Sequence, residues 1–422
     1  MFEIQGTVTT AVCYAQTAEE SAIEQIRRMC SYALTADSRV RIMPDVHAGK
    51  GCTVGTTMTV TDKVCPNIVG VDIGCGMYTV RLAEREIDLP TLDAAAHFIP
   101  SGMRVWDGRK EHFDLTELRC YRALRDSRWL ERSLGTLGGG NHFIEVDRAS
   151  DGTLYLVIHS GSRNLGKQVA EIYQQLAVDL HMGKEDYFKM RDEIIRTYKA
   201  AGRRAEIEGA LQALKRDFVT QALLVPADLC WLYGSFMADY LHDVDICQRF
   251  ARRNREKMAE ILLAHTGTTA VGAFHTVHNY IDTEEMILRK GAVAAHAGER
   301  LLIPINMRDG SILAVGRGNP EWNFSAPHGA GRVMSRARAK ETLDMDAYRA
   351  SMAGIYTTSV TAETLDEAPM AYKSLAEIED AVRDAVEVVD ILKPVYNFKA
   401  ADDAPPWVKK TEACSPAADA QV

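Results

Sequence analysis

Aspartate, cysteine and histidine set among glycines are the residues of this sequence whose types and spacing could do chemistry. Asp72 and Cys75 stand three apart in VDIGCG. Of twelve histidines, His47, His142, His159, His278, His296 and His328 fall in glycine-, asparagine- or aspartate-bearing stretches of low helix and strand propensity. A lone loop histidine is more often a hydrogen-bonded structural residue than a ligand, and a lone cysteine more often a small buried hydrophobe. The accumulation changes that balance. Carboxylate, thiolate and imidazole together suit a borderline divalent ion such as Zn²⁺, Mn²⁺, Fe²⁺ or Co²⁺. Ligands scattered at strand ends are typical of catalytic sites, and a thiolate can bridge two metals, which would explain the need for only one cysteine.

Three glycine-rich stretches, GTLGGGNHF (135–143), HSGSRNLG (159–166) and PHGAGR (327–332), let backbone N–H groups approach an anion closely. None is a Walker A loop or a GxGxxG opening a helix, so neither standard nucleotide-binding fold is supported. PHGAGR runs on into VMSRARAK, which sets His328 beside Arg332, Arg336, Arg338 and Lys340. A neutral imidazole next to fixed cations can attack a phosphorus centre and hold a phosphoramidate. The same basic run also fits a solvated helix face. The residues by themselves point to a metal-dependent enzyme acting on a phosphorylated substrate.

The elements that must position these groups are of mixed type. Residues 1–160 read as short apolar, β-branched runs broken by glycine, with strands expected at Thr53–Val60, Asn67–Val71, Met77–Leu82 and Leu154–His159. From Asn164 the pattern turns to long, charged, amphipathic stretches, which predict a helical insertion over about 164–222. A further helix is expected over Pro226–His265. Strand-and-loop character returns at 270–332, then a helix over Leu375–Ile391 and a last run at Pro394–Lys399. No repeat and no βαβ alternation is visible, so the expected class is α+β with a mixed β-sheet core. One catalytic domain is expected over 1–400, and an Ala-, Pro- and Asp-rich disordered tail over 401–422.

Composition sets outer limits. The 422 residues are long enough for a core that needs no disulfide or metal to fold. Lys plus Arg total 49 against 58 Asp plus Glu, a formal charge of −9, so a polyanion must be met by a local basic site. Nine cysteines without a CxxC pair speak against a disulfide framework or a Cys-only zinc site. No apolar run approaches a membrane span and the N-terminus does not read as a signal peptide, so no membrane and a cytoplasmic location are expected.

Taken in order, MPDVHAGKG, VGVDIGCG, GTLGGGNHFIEV, HSGSRNLG, HNY, RKGA, HGAGRVMSR and LKPVYNFK closely resemble the RtcB family of RNA ligases, from about residue 40 to Lys399. The resemblance implies an α+β fold of the family's own. It implies joining of an RNA 2′,3′-cyclic phosphate or 3′-phosphate end to a 5′-hydroxyl end, with GTP and two Mn²⁺ ions. Carried over motif by motif, Asp72, Cys75, His142, His159 and His278 resemble the metal ligands, Cys75 bridging both ions. His142 would complete one site; His159 and His278, chosen over His275 because Asn279 follows it, would complete the other. His328 resembles the nucleophile that forms histidine–GMP. Guanylate contacts map onto Asn141, Glu145, Ala330, Gly331, Tyr372 and Lys399. The carboxylate of Glu145 would accept from guanine N1–H and the 2-amino group and so discriminate GTP from ATP. Arg163, Lys290, Arg332 and Arg336 are expected at the RNA ends or the triphosphate. A monomer, with an archease-like activator as a partner some family members require, completes the expectation.

Departures from the family pattern fall near the nucleotide. Residues 304–311 read PINMRDGS, where Asn306 is expected to stand in for the family's serine and Arg308 to add a phosphate contact. Residues 325–328 read SAPH where Ser-Cys-Ser-His is familiar, and Asn164 replaces a usual glycine. All five ligands and the nucleophile are intact, so an active enzyme is expected, on a divergent branch serving RNA repair or tRNA splicing, with the departures pointing towards damaged RNA over tRNA halves. Two alternatives use fewer of these residues. A metallophosphodiesterase or 2′,3′-cyclic phosphatase would need the ligands but not His328, Glu145 or Lys399. A non-catalytic RNA-binding protein would need the basic surface but not Cys75.

Overall fold

The computed structural model describes residues 1–49 and 51–399, so the tail expected from residue 401 lies outside the described residues. Two sheets face the site. The larger has seven antiparallel strands in the order Ala270–Val277, Gly76–Leu82, Leu154–Ser160, Phe143–Arg148, Val386–Lys399, Gly310–Gly316 and Arg300–Asn306. The smaller has six, in the order Phe2–Gln5, Thr10–Cys13, Val40–His47, Val54–Thr59, Ile287–Lys290 and Asn279–Asp282. Its pairing is antiparallel except between Thr10–Cys13 and Val40–His47. With eleven α-helices among the described residues, this is an α+β fold.

The 33-residue helix Gly234–Thr266 is the main brace of the larger sheet. It packs on Leu154–Ser160 and Gly76–Leu82 and buries Val244, Ile246, Phe250, Met258 and Leu262. Two of its buried polar residues reach the neighbouring loops, while the Tyr240 hydroxyl has no hydrogen-bond partner. Asn254 Oδ1 accepts from the N–H groups of Gly135 and Thr136. Fully buried Arg255 donates to the carbonyls of Gly74 and Ser160, both 2.7 Å away. Those carbonyls flank Cys75 and Gly161, so the helix pins two of the loops that carry chemistry.

Helices Arg163–His181, Glu185–Ala200 and Ile207–Asp217 occupy the charged amphipathic stretch; only the first buries residues, and the second and third pack on each other. Several local expectations are corrected. Asn67–Val71 is not a strand: Pro66–Val69 forms a short helical turn with proline at its start, where the missing N–H costs nothing. The helix expected from Pro226 begins at Gly234, after the two-residue strand Leu232–Tyr233. Helices Glu20–Met29 and Leu89–Phe98 interrupt the amino-terminal strand region. Most consequential, the helix expected over Leu375–Ile391 stops at Ala381, and Val386–Lys399 is one 14-residue strand. Its β-branched first half pairs with Gly310–Gly316 and its second half with Phe143–Arg148, and that pairing outweighs local helical periodicity.

Candidate active site

The metal-ligand candidates converge because adjacent strands of the larger sheet end together. His159 lies in Leu154–Ser160, opposite Met77 and Phe143; Cys75 and His142 immediately precede the two flanking strands, and His278 immediately follows Ala270–Val277. The His278 N–H donates to the Cys75 carbonyl at 2.9 Å, locking the fourth strand end onto the second. Cys75 Sγ lies 3.5 Å from His142 Nε2 and 3.4 Å from His159 Nε2. His159 Nε2 lies 3.3 Å from His278 Nε2, and His142 Nε2 lies 3.1 Å from Asp72 Oδ2. All but Asp72 are buried.

These donors fit a divalent cation. His142 Nδ1 faces the Leu137 carbonyl at 2.8 Å and His159 Nδ1 faces the Asn141 carbonyl at 3.0 Å. A carbonyl only accepts, so each Nδ1 carries the proton and each neutral ring turns a bare Nε2 lone pair inward. Lone pairs, a carboxylate oxygen and a sulfur then point at one another, a repulsive arrangement that a cation resolves. The spacing agrees, since bonds of about 2.0–2.3 Å in a tetrahedral shell put neighbouring ligand atoms about 3.3–3.6 Å apart. Buried His278 Nδ1 has no hydrogen-bond partner, leaving that ring a ligand without a fixed tautomer.

Electrostatics point the same way. Burial, then the charge of Asp72, push the Cys75 thiol well above its ordinary value. Burial, then neighbouring histidines, hold His159 and His278 well below theirs. Burial opposes ionisation of Asp72, but the His142 hydrogen bond and charge, with Arg163, hold its carboxyl below the usual range. The Cβ that any other residue would add at Gly161 would lie 2.1 Å from Asp72 Oδ1, so this glycine leaves the carboxylate its place.

His328 comes from the opposite side. It follows Ser325–Pro327, which pairs with Ala292–Ala294, and its ring lies 4.9 Å from that of His278. Its Nδ1 is 2.7 Å from Oδ2 of Asp45, a fully buried residue in the strand Val40–His47 of the smaller sheet. The same oxygen accepts the His328 backbone N–H at 3.2 Å. Asp45 therefore holds the proton on Nδ1 and leaves Nε2 free as a nucleophile. The MPDVHAGKG block contained this aspartate, but nothing in the chain marked it as the partner of a residue 283 positions away.

Two clefts meet at His328. One is lined by Asn141, Glu145, Asn306, Ala330, Gly331 and Arg332, together with Arg336, Tyr372 and Lys399. The second is lined by Asp72, Cys75, Asn279 and Lys290. His47, Asn141, His278 and His328 line both. His296 is elsewhere, stacked on Phe324 and paired with Glu285.

Glu367 organises the first cleft, and no pattern in its TAETLDEAP surroundings signalled it. It pairs with Lys399, accepts from the Tyr372 hydroxyl at 2.7 Å, and lies 2.7 Å from Arg336. Burial alone would raise its pKa, but Lys399 and Arg336 take it down to about 2. Arg332 donates to the Tyr372 hydroxyl at 3.1 Å and stacks on its ring. Asn397 donates to Glu145. Lys290 Nζ donates to the Cys52 carbonyl at 3.1 Å. Arg163 lines neither cleft: it donates to Thr136 Oγ1 at 3.0 Å and the Gly102 carbonyl at 2.7 Å, behind Asp72. The Asn306 amide closes its own turn by donating to Asp309 at 2.8 Å, and Arg308 also pairs with Asp309.

Known proteins share this chain. The sequence profile of the family described as tRNA-splicing ligase RtcB matches residues 25–128 and 117–400. The RNA-splicing ligase RtcB of Escherichia coli strain K12 is 31% identical over 400 residues, covering 85% of this chain and 90% of that protein. The tRNA-splicing ligase RtcB of Aeropyrum pernix is 27% identical, covering 80% and 82%. The RNA-splicing ligase RtcB of Mycobacterium tuberculosis is 28% identical, covering 80% and 91%. With the profile matched across most of its length, the chain belongs to the RtcB family.

Proposed function

We propose that this chain is an RNA ligase that uses GTP to join RNA 2′,3′-cyclic phosphate or 3′-phosphate ends to 5′-hydroxyl ends through a guanylylated His328. The observation that carries the reading is the position of His328. Its ring is oriented by a buried carboxylate, stands beside a metal-competent cluster, and forms a wall common to a cleft lined by Arg332, Arg336 and Lys399 and a second cleft that reaches Asp72 and Cys75. The names of the relatives supply the RNA and the ligation.

Two Mn²⁺ ions, held by Asp72, Cys75, His142, His159 and His278, would neutralise phosphate charge and polarise phosphorus. The protein's own groups account for the rest. Asp45 keeps the His328 proton on Nδ1, and Nε2 attacks the GTP α-phosphorus. An N–P bond forms, the α–β P–O bond breaks, and pyrophosphate leaves. Arg332, Arg336 and the backbone N–H groups of Ala330 and Gly331 face the phosphates, while Glu145, Tyr372 and Lys399 face the base. A 2′,3′-cyclic phosphate is first hydrolysed to a 3′-phosphate. An oxygen of that phosphate then takes the guanylate from His328. Finally the 5′-hydroxyl attacks the activated 3′-phosphorus and GMP departs. Lys290, on the second cleft, is placed to meet the RNA end.

Incubation with α-labelled GTP and Mn²⁺ should leave acid-labile label on the protein, absent from His328→Ala, and ligated RNA should appear only with the unmodified chain. Phosphate release from a cyclic end, with neither label nor ligation, would replace the ligase by the phosphodiesterase. Three further parts complete the reading: a cytoplasmic location and a monomer, expected from the sequence, and an archease-like activator, which the family resemblance implies. Fractionation, sedimentation and a turnover assay with added archease test them. No helix among the described residues is long and apolar enough to cross a membrane.

A further inference from the structure

Asp147 is a buried carboxyl that neither the ligand set nor the nucleophile uses. It sits on Phe143–Arg148 two residues beyond Glu145, so both side chains project from the same face of that strand. Asp147 is fully buried, Glu145 nearly so, and neither Asp147 oxygen has a donor. The Ser311 hydroxyl, beside Asp147, also lacks a partner.

An ionised carboxylate without a donor is among the costliest groups to bury. Two of them side by side are worse, and the pair is relieved by one shared proton. Where that proton resides follows from the donors. Burial raises the Glu145 carboxyl, but it is opposed by hydrogen bonds from Asp147 and Asn397 and by the charge of Lys399. Asp147 has no comparable support: burial and then the Glu145 carboxylate push its carboxyl well above the ordinary range. Glu145 keeps the charge and Asp147 the proton.

We propose that Asp147 is a positioning residue for nucleotide selection, donating its carboxyl proton to Glu145 and so holding Glu145 as the ionised acceptor that chooses guanine over adenine. This rests on the guanylate reading of the cleft. An ionised Glu145 accepts from guanine N1–H and the 2-amino group and repels the lone pair on adenine N1. A protonated Glu145 loses acceptors and offers adenine N1 a donor. Replacing Asp147 by a residue without a donor takes one hydrogen bond from the ionised Glu145, raises its affinity for a solvent proton and erodes the preference.

The test is calorimetric titration of the full-length, metal-loaded chain with GTP and with ATP, comparing the unmodified protein, Asp147→Asn and Asp147→Ala. The Asn amide still donates to Glu145, so its GTP-over-ATP ratio should stay within about 3-fold of the unmodified protein. The Ala variant should lose about 10-fold or more, the value of one hydrogen bond to a charged group. General damage to the fold would weaken both nucleotides and leave the ratio unmoved. Should Asp147→Ala not fold, Asp147→Val is closer in volume and equally lacks a donor. A ratio unchanged in the Ala or Val variant, or lost equally in the Asn variant, overturns the proposal alone. No GTP preference in the unmodified chain overturns it together with the guanylate reading.

Discussion

Asp45 and His328 form the pair on which the proposed transfer to the histidine would depend. A ring released from Asp45 populates the wrong tautomer and rotates away from the cleft. Asp45→Ala should therefore slow labelling of the protein by α-labelled GTP by about 10²-fold or more, with metal content unchanged. Cys75 acts at the other end of the site. If its thiolate serves both ions, Cys75→Ala should lower bound metal in both positions, seen as fewer than one Mn²⁺ per chain after dialysis against micromolar metal. A variant that still carries two ions would remove the bridging role.

Between residues and elements stands Gly161, in the loop that follows the strand Leu154–Ser160. An added Cβ would meet the Asp72 carboxylate, not a side chain that could swing aside at no consequence. Gly161→Ala should displace Asp72, so metal affinity should fall about 10-fold or more while the thermal midpoint moves by only a few degrees. An unchanged metal affinity would show that Asp72 is not held where the glycine leaves room. The strand Val386–Lys399 carries load of a different kind, because it joins the sheet's two halves and ends at Asn397 and Lys399. Leu392, fully buried at its centre, should cost about 2–5 kcal/mol on replacement by Ala, measured by urea unfolding. A smaller loss would mean that the two halves hold together without it.

Acid should weaken the protein through the Glu367 network that lines the first cleft. The Glu367 pKa stands at about 2 against an ordinary 4.5. A depressed carboxylate stabilises the fold fully above the unfolded value and loses that contribution as pH falls from about 4.5 towards 2. The shift corresponds to roughly 3 kcal/mol. Glu367→Gln should be markedly less stable than the unmodified chain near neutrality, since Lys399 and Arg336 lose their counter-charge. The two should converge only as pH falls towards 2, where Glu367 itself becomes neutral. Urea midpoints that stay apart at low pH would show that the carboxylate charge is not what holds the network.

Chemistry in this chain was legible wherever it is written locally. VDIGCG, GGGNHF, HSGSR, HNY and PHGAGR each set a reactive residue among small or turn-forming neighbours, because strand ends that present a side chain to a ligand need room and unusual backbone. Five of the six loop histidines do meet at one place; His296 shows that the local signal does not suffice, since it has the same setting and a different neighbourhood. The α+β class also followed from the absence of βαβ alternation. What only the tertiary structure decided were the relations across the chain: Asp45 to His328, Glu367 to Lys399 and Tyr372, Asn397 to Glu145. Each partner is an ordinary polar residue in an ordinary stretch, and its role comes from the strand order that brings it within 3 Å or so of its mate. The long strand Val386–Lys399 was read as a helix in its first half for the same reason. Its apolar spacing fits either period over a few residues, and the choice was made by the neighbouring strand Gly310–Gly316, some 75 positions away in sequence.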